Sequence, residues 1–262
     1  MRFPALPVFL VFCAAPALAQ SPVASPAPSP SPAARRHENL KVLPADIGHD
    51  DLIQAMGGFT RALGVRCVFC HAAANGQRPS AEEFKLDTNE HKDIARAMLR
   101  MTDDINKRQL PLLGKDPARL QKVSCTTCHG GLKEPRPLEA VIVRSYQKDG
   151  LDAATKKYRE LRQEYYGQRA YDFSDVTLVS AADELGETDK DIPAALALMK
   201  LNLEFNPQSW FTYQEMGQLQ ERAGDTAGAM ASYRKAIEIE PSRGASKERL
   251  EELQVKLELQ KK

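Results

Sequence analysis

The sequence predicts an all-α protein in two parts, and three observations carry that reading. Two amphipathic helical stripes each lead to a five-residue unit, CVFCH at Cys67–His71 and CTTCH at Cys125–His129. A later segment, LDAATKKYRELRQEYYG, has amphipathic helical spacing. Beyond it, helix-forming stretches repeat, with Pro207 and Pro241 standing 34 residues apart.

The N-terminal element is MRFPALPVFLVFCAAPALAQ: one basic residue, an apolar run, and the small-residue site ALA before Gln20. This is the layout of a secretory signal peptide over residues 1–19, cut after Ala19. The run is shorter than the ~20 residues a spanning helix needs. The mature chain is therefore expected to have no membrane span and to be periplasmic or otherwise exported. Phe12 is too bulky for the small residue that lipidation of Cys13 would require. Residues 20–36, rich in Pro, Ser and Ala, read as an extended linker.

Export narrows the chemistry of the cysteines. Cys13 leaves with the signal, and Cys67, Cys70, Cys125 and Cys128 all belong to the two units. Free thiols at this spacing would pair as disulfides in an oxidising compartment unless another chemistry uses them. A four-thiolate zinc site brings its pairs about 15–20 residues apart, far closer than these. A thioredoxin-like pair wants a strand before a helix and has no use for His71 and His129. Covalent c-type haem accounts for every position, with two thiols for the vinyl groups and the adjacent histidine for the iron. The doubled unit thus implies two haem c groups, held by Cys67, Cys70, His71 and by Cys125, Cys128, His129.

The helices before the units bear on the sixth ligands. Leu52, Met56, Phe59 and Leu63 form the first stripe; Ile94, Met98, Met101 and Ile105 form the second, with Thr88 as its expected N-cap. Superimposed, the stripes put Met56 on Met98. A methionine on an apolar face is ordinarily core packing, but matched methionines before matched haem units suit axial thioethers, which favour ferrous iron. Spacing does not choose between Met98 and Met101. His37, His49 and His91 are further candidates, or solvated surface.

Residues 39–137, from NLKVLPADIGHDDLIQAMGGFTRALGVRCVFCH through ARAMLRMTDDIN to VSCTTCHGGLKEPRP, resemble half of the tetrahaem cytochrome c subunit of photosynthetic reaction centres. The resemblance implies an all-α dihaem domain in which each haem packs along a methionine-bearing helix. It places the axial metal ligands at Met56 with His71 and at Met98 with His129, leaving Met101 as packing. The histidine that follows the family's second methionine helix has no counterpart between Asp103 and Ser124, in keeping with two haems rather than four.

The domain plan follows: a dihaem cytochrome c domain over 37–140, a connecting helix over 141–172, and tetratricopeptide (TPR)-like helical repeats with a C-terminal capping helix over 173–262. The loop 72–86 is expected at the surface. Tyr213, Gly217, Ala229, Tyr233, Ala236 and Pro241 match the repeat pattern, and Ala195 and Pro207 repeat two of them upstream. Such repeats act as a spacer or as a surface for a protein partner.

A formal net charge of +1, with both signs mixed through the haem segment, gives no nucleic-acid footprint. The expected function is electron transfer with redox partner proteins. The alternatives are a dihaem peroxidase-like enzyme and a redox or gas sensor with one open iron. No residue constellation near either unit asks for catalysis.

Overall fold

The computed structural model describes residues 37–71, 79–114, 116, 119–188 and 190–260. The expected signal peptide and linker, residues 1–36, lie outside the described residues, as do 72–78 of the loop 72–86. Among the described residues there are nine α-helices and no strand, so the fold is all-α.

Helix α1 (His49–Leu63) carries the first stripe, has Asp50 and Asp51 in its first turn, and ends at Gly64 with φ 63°. Acids there complement the helix dipole, and a left-handed C-terminal residue is the usual glycine stop. The first CxxCH unit opens as a 3-10 turn, Cys67–Phe69. Helix α2 (His91–Asp104) carries the second stripe. Its start is set by Asn89 rather than Thr88: Asn89 Oδ1 accepts a bond from the His91 backbone N–H at 3.0 Å. The helix then widens into a π turn, Ile105–Gln109, and tightens into a 3-10 turn, Leu110–Leu113. The second CxxCH unit is itself helix α3 (Cys125–His129).

Helix α4 (Leu138–Tyr165) bends at Gly150, where φ is 83°. It packs on α5 (Asp175–Glu187) and α6 (Ile192–Phe205) and contributes the buried Ile142, Tyr158 and Leu161 to the main core. Helices α5 and α6 form one antiparallel pair, α7 (Trp210–Arg222) and α8 (Thr226–Ile239) a second, and α9 (Gly244–Leu259) covers α8. The N-termini of α6, α7 and α8 are capped by side chains: Asp191 accepts from Ala194, Ser209 from Thr212 and Asp225 from Gly228.

The repeat pattern has a direct physical cause. A Cβ on Gly217 would lie 2.7 Å from the Tyr233 ring, so only glycine lets α8 press that ring onto α7. Ala229, Tyr233 and Ala236 are fully enclosed there. In the earlier pair Met199 stands at the Tyr233 position and Asn202 at the Ala236 position. Asn202 is buried and satisfied, donating to Thr212 Oγ1 at 2.8 Å and to the Asp175 carbonyl at 2.6 Å. That amide ties the first pair to the second. The result is a TPR-like stack following the haem-motif segment.

Candidate haem sites

Each CxxCH unit is pinned by an asparagine that does not belong to it. At the first, Asn89 Nδ2 donates to the Phe69 carbonyl at 3.0 Å, and the His91 ring lies 4.0 Å from the Phe69 ring. The start of α2 therefore holds the turn that presents Cys67, Cys70 and His71. At the second, Asn106 on the π turn bonds both backbone groups of Val123: its Oδ1 accepts from the Val123 N–H at 2.7 Å and its Nδ2 donates to the carbonyl at 2.8 Å. Ser124 then starts α3, its N–H donating to Thr127 Oγ1 at 3.0 Å. The amide clamp closes the long excursion between Met98 and Cys125.

Two glycines after His129 lock the second unit into the molecule. Gly130 (φ 55°) ends α3, and a Cβ there would approach the Arg169 carbonyl oxygen to 2.7 Å. Gly131 donates its N–H to the Ala62 carbonyl at 2.9 Å, and a Cβ on Gly64 would sit 2.0 Å from the Gly131 carbonyl oxygen. The end of α1 and the loop before α5 thus meet at one CHGG corner. Nothing local in the sequence marks this meeting, since it joins residues far apart in the chain.

The donor set suits haem. His129 Nδ1–H donates to the Leu132 carbonyl at 2.7 Å, which fixes the tautomer with the Nε2 lone pair free for a metal. His71 packs its ring 4.8 Å from the Phe84 ring. Its Nδ1 is buried without a well-formed hydrogen bond among the described residues. Burial, and then the nearby Lys92 charge, pull the His71 pKa below its ordinary value, against a weak backbone contact with Phe84. A neutral imidazole is the form that binds metal. The four cysteines of the two units are free thiols; burial raises the pKa of Cys70 and Cys125. Among the described residues no three His, Cys, Asp or Glu side chains gather as a metal site.

The helices that carry the methionines leave apolar surface beside these units. Among the described residues of α2 none is buried, although its stripe is strongly amphipathic. Met98 is 40% exposed and Met101 46%. On α1, Met56 is half-buried and is followed by Gly57 and Gly58. A Cβ on Gly58 would meet nothing within 4 Å. These are faces on which a flat macrocycle can lie. Of the other candidate ligands, His37 and His49 stack at 5.6 Å, with His37 Nε2 buried and without a hydrogen bond among the described residues, and His91 donates from Nδ1 to Asn89 Oδ1.

A family model described as the photosynthetic reaction centre cytochrome C subunit matches residues 12–168. The chain belongs to that family. Its members are c-type cytochromes, with covalently bound haem c and a role in electron transfer. The match runs past the second unit to the end of α4. No curated protein matches the chain. Among solved structures, the first TPR of Spaghetti (RPAP3) bound to HSP90 peptide SRMEEVD is similar at 17% identity, covering 46% of this chain and 90% of that one, with a TM-score of 0.33. For this reaction centre cytochrome C subunit relative, no helix among the described residues is long and apolar enough to cross a membrane.

Proposed function

We propose that the protein is an exported, periplasmic dihaem electron carrier, with one haem c at each CxxCH unit and the helical repeats serving as a spacer or a partner surface. The observation that carries the reading is the doubled ligand set in a chain of this family, joined to the His129 geometry. The leader over residues 1–19 supports export.

A covalently held haem supplies a reversible one-electron couple at its iron. The chain's residues determine how that couple behaves. Cys67 and Cys70, and Cys125 and Cys128, anchor the two macrocycles through thioethers. His71 and His129 would supply imidazole ligands, and the Leu132 carbonyl holds Nδ1 of His129 so that its Nε2 stays free for the iron. Met56 and Met98 would supply thioether ligands to the two irons and so keep water and other small ligands out, which is what separates a carrier from a catalyst. The clamps by Asn89 and Asn106 hold both units against change between redox states, and a site that does not rearrange passes electrons at low cost.

The test is a reduced-minus-CO-reduced visible spectrum of the full mature chain, matured with haem-attachment machinery. Two low-spin haems indifferent to CO are expected. CO binding to either iron would overturn the closed-ligand carrier and favour an enzyme or gas sensor.

A further inference from the structure

One cation beside the first unit is held in a way that a solvated surface lysine is not. Lys92 keeps only 10% of its side chain exposed. Its ammonium donates to the Phe84 carbonyl at 2.8 Å and to the Leu86 carbonyl at 2.5 Å. Phe84 in turn packs its ring against His71. Lys92 is thus fixed one residue away from the proximal histidine, by the backbone of the loop that flanks it.

Its charge is only partly offset locally. Asp87 lies 4.0 Å from Lys92 but is already engaged by Arg96 at 2.7 Å, Lys41 at 2.6 Å and Asn39 Nδ2 at 2.9 Å. These partners hold the Asp87 carboxyl well below the usual carboxylate range, so it stays ionised within a cluster that is net cationic. The arrangement is not repeated at the second unit. With Met56 set on Met98, the position of Lys92 on α2 is taken by Asp50 on α1, and that of Arg96 by Gln54.

We infer that Lys92 sets the two haems apart in potential, acting as a positioned cation that makes the haem at Cys67, Cys70 and His71 the higher-potential member of the pair. The inference rests on the dihaem reading above. Its physics is that reduction lowers the charge at an iron by one unit, and a fixed positive charge in a partly desolvated site favours the less positive, ferrous form. Lys92 biases the equilibrium by its position, and burial pulls its pKa below the ordinary lysine range. A carrier with unequal haems has a direction, because an electron entering at the second unit runs downhill to the first.

The test is a spectroelectrochemical titration of the full holoprotein and of Lys92→Gln, which keeps a donor for the Phe84 and Leu86 carbonyls but removes the charge. The upper of the two potentials is expected to fall, with the ferrous-to-ferric ratio of that haem reduced about tenfold, ~59 mV for one electron. The lower potential is expected to stay where it is. Lys92→Arg is expected to hold the native value. Both potentials unchanged in Lys92→Gln would overturn the inference, as would an Arg variant that falls as far as the Gln variant. Haem content by pyridine haemochrome is measured on the same samples: fewer than two haems per native chain would instead sink the dihaem reading beneath it.

Discussion

Replacing Gly64 by alanine tests the joint between α1 and the second CxxCH unit. Gly64 has φ 63°, a conformation that costs an L residue about 1–2 kcal/mol. The new Cβ would also stand 2.0 Å from the Gly131 carbonyl oxygen, a backbone atom that cannot swing aside as a side chain can. Relief requires α1 to withdraw from the CHGG corner, stretching the Gly131 N–H to Ala62 carbonyl bond of 2.9 Å. Overpacking of this kind adds about 1–3 kcal/mol, so the sum is about 2–5 kcal/mol. With a urea slope of about 2 kcal/mol per molar, the midpoint should drop by about 1–2.5 M. The assay is urea unfolding of the holoprotein, with Soret absorbance reporting the haem-bearing part and far-UV circular dichroism the helical repeats. The Soret transition is expected to move and the repeat transition to hold. A Soret midpoint within ~0.2 M of the native one would refute the packing of α1 on Gly131.

Three further predictions address the other parts of the account. Gly217→Ala drives a Cβ to 2.7 Å from the Tyr233 ring and should destabilise the repeats by about 1–3 kcal/mol, read by circular dichroism, while haem spectra stay native. Asp183 is raised to about 6 by burial and by Glu215; its folded pKa lies above its unfolded value, so the folded state binds the extra proton and stability falls as pH rises from about 4 to 6. Asp183→Asn should therefore stabilise the repeats at pH 7 by roughly 1–2 kcal/mol after allowance for solvent screening, and change little at pH 4, as thermal unfolding at the two values would reveal. Met98→Leu should open one reduced haem to CO, whereas Met101→Leu should leave the spectrum closed; the reverse result would exchange the roles of the two methionines.

What could be read from the sequence was local or periodic. The stripe Leu52, Met56, Phe59, Leu63 gave α1, and Gly217 with Ala229 and Tyr233 gave the α7–α8 pair, because each pattern is written in the residues that make the contact. Gly150 reads as a helix breaker and is one, with a non-helical φ of 83° between two helical segments of α4. Two features were not legible for physical reasons. The second stripe was followed to Ile105, but the π turn that begins there changes the register and turns Asn106 toward Val123. The cluster of Lys41, Asp87, Lys92 and Arg96 joins two segments around one carboxylate, and nothing in the spacing of those residues announces it. At the candidate sites the cysteines and histidines were legible from their spacing, whereas the groups that aim them, the Leu132 carbonyl, Asn89 and Asn106, appear only once the chain is folded.

The central claim is one haem at each CxxCH unit of the exported chain, and intact-mass spectrometry of the matured protein tests it most directly. The expected mass is that of the chain from Gln20 onward plus two covalently bound haems, falling by one haem in Cys67→Ala/Cys70→Ala and by one in Cys125→Ala/Cys128→Ala. A native mass carrying one haem or none, or a double variant that loses no haem, would contradict the account.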